Sequence, residues 1–106
     1  MDAAATAYYS RSMNSERAEA YGRVVKAVDD LSGAKLHRDE QDTIRGAADA
    51  LLFCHDLRRD PDAEDALASV YELADRLVES ERLSREGADR LVVDVEACGP
   101  FARRAA

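Results

Sequence analysis

A chain of 106 residues and 11.6 kDa has room for one domain, and with 46% hydrophobic but only 6% aromatic residues its core must be built from Ala, Leu and Val, a make-up that suits close helix packing better than a large ligand pocket. A formal charge of −7 repels phosphate backbones and anionic lipid, so direct nucleic-acid and membrane binding are disfavoured and a basic protein surface is the favoured partner. No apolar run reaches the roughly 20 residues of a membrane span, no secretory leader is apparent, and Cys54 and Cys98 are too few for a disulfide framework, so the expectation is a cytoplasmic protein with two buried thiols.

Residues 1–14 (MDAAATAYYSRSMN) show no sustained amphipathic period and are expected to form a flexible arm, with Tyr8 and Tyr9 its only sizeable apolar groups. The first helix is predicted over 15–31. Ala18, Tyr21, Val25 and Val28 recur at helical steps, with Val24 and Leu31 beside them. Gly22 inside this stripe suggests a close approach by another helix, and Gly33 is the natural left-handed stop.

A second helix is predicted from 38 to 55 or 57, burying Ile44, Ala47, Ala48, Leu51 and Leu52. His37 stands at its cap position. Asp39, Glu40 and Asp42 suit the positive end of its dipole, and Arg58 and Arg59 the negative end. Asp60-Pro61 is the clearest boundary: Asp as N-cap, Pro at the first helical position, then Asp62, Glu64 and Asp65. The third helix, to 80 or 81, carries Leu67, Val70, Tyr71, Ala74, Leu77 and Val78 on one face. The fourth starts at a Ser84 cap, runs through Ala88, Leu91, Val92, Val95 and Cys98, and stops at Gly99-Pro100. The expected fold is therefore all-α: an up-down antiparallel bundle of about four helices over residues 15–99, with a short tail over 100–106.

Candidate chemistry is sparse. Asp60, Asp62 and Glu64 have the alternate spacing that opens an EF-hand loop. Asp65 stands where that loop needs Gly, however, and Tyr71 where it needs a bidentate Glu. Cys54 and His55 are adjacent on a helix, about 100° apart, and no Cys/His pair has i, i+3 or i, i+4 spacing. No nucleophile elbow, P-loop or dinucleotide fingerprint occurs. The expectation is a protein that is not an enzyme and has no cofactor or metal.

The stretch from Glu72 to Gly99 (ELADRL…LSREGADRLVVDVEACG) resembles the helix-turn-helix region of winged-helix regulators, in which such a helix leads to a Ser-capped recognition helix. The resemblance implies DNA contacts from Arg85 and Arg90. Twelve residues separate Glu72 from Ser84, about four more than the tight turn of that motif allows. Asp89, Asp94 and Glu96 also lie on the would-be recognition helix. After Cys98 only GPFARRAA follows, too little for a wing.

By exclusion, the expected function is a non-enzymatic acidic helical interaction module: an adaptor, assembly factor or inhibitor, homodimeric or bound to a basic protein surface. The candidate contact residues are Phe53, Leu52, Val93 and Phe101, with the acids Asp60, Asp62, Glu64 and Asp65. Leu51-Leu52-Phe53 is apolar over more than one helix face, which a central helix or a covering subunit would explain. The alternative is a regulator acting at nucleic-acid sites, either a degenerate helix-turn-helix binder or an acidic DNA mimic blocking a DNA-binding enzyme.

Overall fold

The computed structural model describes the backbone of residues 2–100 and the side chains of residues 15–100. Four α-helices follow one another: α1 (Asp2–Leu31), α2 (Arg38–Leu52), α3 (Pro61–Glu79) and α4 (Arg85–Ala97), with a 3-10 turn at Leu57–Arg59. Among the described residues there is no strand, only an isolated bridge between Ser32 and Leu36. The all-α expectation holds.

The polar contacts give each helix its direction. Arg17 on α1 reaches the C-terminal ends of both α2 and α4, while Arg45 on α2 reaches Asp29 near the end of α1. On the other side, Tyr71 of α3 donates to Glu96 of α4, and Arg85 at the start of α4 pairs with Asp75 further along α3. Each helix thus runs antiparallel to its sequence neighbour, and α4 closes the ring against α1. The result is the up-down bundle that short connections favour. α2 also meets α4 across the diagonal, so it packs against all three other helices.

Local chemistry sets the helix ends. Asp60 accepts a hydrogen bond from the Ala63 N–H at 3.1 Å with Pro61 at the first helical position, and Ser84 accepts from the Gly87 N–H at 2.9 Å. α1 ends with Gly33 at φ 82°, while α3 ends in a Schellman turn that places Glu81 at φ 63°, with the Arg82 N–H on the Leu77 carbonyl. A glycine fills the left-handed position in one turn and a glutamate in the other.

Two boundaries differ from expectation. α1 begins at Asp2, well before residue 15; its Ala-rich first turns favour helix, and no Gly or Pro interrupts them before Gly22. The arm expected over 1–14, with Tyr8 and Tyr9, lies outside the residues whose side chains are described, as does the tail from 101 onward. α2 stops at Leu52, so Cys54 and His55 lie beyond it. Arg58 and Arg59 sit in the 3-10 turn and approach Asp56, and Arg17 takes the C-terminal carbonyls of α2 in their place.

The core is Ala20, Val24 and Val28 from α1, Ile44, Ala47, Ala48 and Leu51 from α2, Ala63, Leu67, Val70, Leu73 and Leu77 from α3, and Leu91 and Val95 from α4, with Leu36, Cys54 and Cys98 from the connections. The α1 stripe is rotated from the expected one. Ala18 is exposed, and Tyr21 and Val25 are half-buried, because the Tyr21 hydroxyl stays at the edge to donate to Asp49. Gly22 receives no close helix, since a Cβ there would meet nothing within 4 Å.

Candidate interaction surface

The polar groups of this bundle gather at its two poles. At one, the Arg17 guanidinium donates to four backbone carbonyls: Leu51, Leu52 and Cys54 at the end of α2 (2.7, 3.0 and 2.9 Å) and Cys98 after α4 (2.8 Å). These carbonyls lie at the negative ends of two helix dipoles, where intrahelical donors run out and Leu51 has only the Cys54 N–H besides, so one cation satisfies both needs. Arg17 has no carboxylate partner in the described structure; helix ends take that place.

At the other pole Glu40, only 9% exposed, is the one buried charged residue among those described. Its two oxygens accept from Arg82 in a bidentate fork at 2.8 and 2.9 Å, and Oε1 also accepts from the His37 N–H at 2.9 Å. The Arg82 fork holds the carboxyl below its ordinary value of 4.5, outweighing the opposing effect of burial, with the His37 N–H helping.

Phe53 stands at the Arg17 pole. It caps α2 and is 78% exposed, with the carbonyls on either side of it, Leu52 and Cys54, both held by Arg17. Leu51 is fully buried and Leu52 half-buried, so the apolar triplet divides between core, edge and solvent. The 3-10 turn leads straight from Phe53 to the start of α3, the Asp60 N–H donating to the Leu57 carbonyl at 3.2 Å. The Asp60 carboxylate accepts from the Ala63 N–H, whereas Asp62, Glu64 and Asp65 are exposed in the first turns of α3. Phe53, Leu52 and the four acids therefore share one corner of the bundle.

Val93 does not join them. It is 58% exposed on α4 and, at about 100° per residue, points opposite the Leu91–Val95 core line. Phe101 lies outside the described residues.

The thiols are quiet chemically. Both are free and buried; burial raises Cys54, and it raises Cys98 to about 11, so both are protonated at neutral pH. Among the described residues no group of three or more His, Cys, Asp and Glu could hold a metal ion, and no helix is long and apolar enough to cross a membrane. The stretch resembling a helix-turn-helix forms an antiparallel hairpin, with contacts at Tyr71–Glu96 and Asp75–Arg85, where that motif crosses its helices at about 90–120°. The Arg85 guanidinium is shared between Asp75 and Asp89, at 3.4 Å from each.

Sequence reasoning missed both polar clusters. His37-x-x-Glu40 has capping-box spacing, a signal for Glu40 folding back, but nothing near it in sequence points to Arg82. Comparison of the chain with protein-family models, with curated proteins and with solved structures finds no match.

Proposed function

We infer that this chain is a non-enzymatic, acidic helical interaction module, an adaptor, assembly factor or inhibitor that docks on another protein through the corner between α2 and α3. One observation carries the reading: a Phe ring 78% exposed on a helix end whose flanking carbonyls are tied down by Arg17. A large apolar side chain on a backbone that is already ordered adds little chain ordering to the cost of binding, as an interface anchor requires. The acids at the start of α3 supply a charged rim, and a basic surface on the partner complements it. The setting is a reducing cytoplasm, in which Cys54 and Cys98 remain thiols.

The test is capture of proteins from native lysate at two salt concentrations, comparing the parent with Phe53→Asp and reading bound proteins by mass spectrometry. Phe53 is solvent-exposed, so the variant should keep its helicity by circular dichroism. The reading requires a stoichiometric protein that the parent retains at low salt and the variant loses. Identical capture by the two would refute it.

A further inference from the structure

The basic surface that this corner calls for is present on the chain itself. Arg58 and Arg59, the only adjacent arginines among the described residues, have side chains 91% and 88% exposed. Each makes a long contact to Asp56, at 3.6 and 3.9 Å, and neither guanidinium donates a hydrogen bond among the described residues. A few residues on, Asp62, Glu64 and Asp65 are exposed without an ion pair among the described residues. Phe53 precedes the arginines, and the 3-10 turn that bears them leads directly into the start of α3, its Leu57 carbonyl accepting from the Asp60 N–H at 3.2 Å. One corner thus displays an apolar anchor, an exposed basic pair and an exposed acidic group.

We propose that this corner is a two-fold contact between copies of the chain, with Phe53 near the axis and Arg58 and Arg59 of each protomer facing Asp62 and Asp65 of the other. The inference rests on the interaction-module reading and names its partner. A two-fold interface must be self-complementary, residue i meeting j while j meets i, and a surface bearing both signs beside an apolar anchor satisfies that condition. The −7 charge of each chain opposes association only weakly at physiological salt, because screening over about 8 Å removes the distant acids while leaving groups in contact attracted. Exposed ion pairs contribute little each. The ring provides most of the affinity, and the charges choose the partner and its orientation.

The experiment is sedimentation of the full chain over a concentration series, with circular dichroism melts confirming that each variant folds. The parent should dimerise, and Phe53→Asp should weaken the dimer by at least about 30-fold. Arg58→Glu with Arg59→Glu should also weaken the dimer, by placing like charges in contact in both halves, and so should Asp65→Arg, which lies beyond the first turn of α3 and leaves its cap intact. An equimolar mixture of these two charge-reversed proteins should recover a heterodimer, since one interface half then keeps the parent's signs and the other has them exchanged. A monomeric parent, or a mixture that stays monomeric although both variants fold, overturns the two-fold contact. If the parent is monomeric and its capture from lysate still depends on Phe53, the self-contact fails and the module reading stands. If capture ignores Phe53, that reading fails as well.

Discussion

Arg17 is the residue on which most of this fold's polar order converges. It donates to carbonyls 34 to 81 positions away, and its removal would take away the charged donor that the Leu51, Leu52, Cys54 and Cys98 carbonyls share at a half-buried site. Bonds from a charged donor are worth about 1.5–3 kcal/mol each, but water can recover part of this, so Arg17→Ala should destabilise the fold by on the order of 3 kcal/mol in urea titration. Arg17→Lys keeps the charge without the planar fork and should recover only part of the loss. Glu81 is a smaller case. A non-glycine residue at φ 63° costs about 1 kcal/mol, so Glu81→Gly should raise stability by about that much in the same assay. Neither residue could be found by reading along the chain. Arg17 looks like any arginine on a helix flank, because its partners are backbone atoms that only the tertiary fold brings near. Asp60 and Ser84 were legible because a cap is completed within three residues.

At the level of helices, the signals were sharp where a stop or start is chemical and blurred where it is geometric. α3 and α4 begin where their caps predict. On α1 the adjacent Val24 and Val25 left two apolar lines open, and the neighbouring helices chose Ala20–Val24–Val28. α2 ends earlier than its apolar run because Cys54 turns into the core and Asp56 opens a new turn. Gly22 and Gly46 both lie inside helices with open space where a Cβ would stand. Each should therefore accept Ala with a gain of up to about 1 kcal/mol, measurable as a higher melting temperature. A loss of stability at Gly22 would revive the close helix approach that its place in the stripe suggests.

The whole molecule is a ring of four helices fastened at both poles by arginine. The pole at Glu40 makes stability depend on pH. Its folded-state carboxyl titrates below 4.5, so its contribution is complete above the unfolded value and is lost as pH falls through the folded one. Glu40→Gln should lower stability at neutral pH and flatten the fall in stability on acidification, read from urea midpoints between neutral and acid pH. The candidate corner was partly legible: Phe53 and the α3 acids sit together because they are close in sequence, whereas Val93, judged by hydropathy alone, is exposed on a different helix, α4. The other pole governs how the protein opens. Two carbonyls of α2, one just beyond it and one after α4 share a single guanidinium, so the last turns of these helices cannot fray independently. Their amide protons should exchange with deuterium at one common opening free energy, and replacing Arg17 should split that single unit into two.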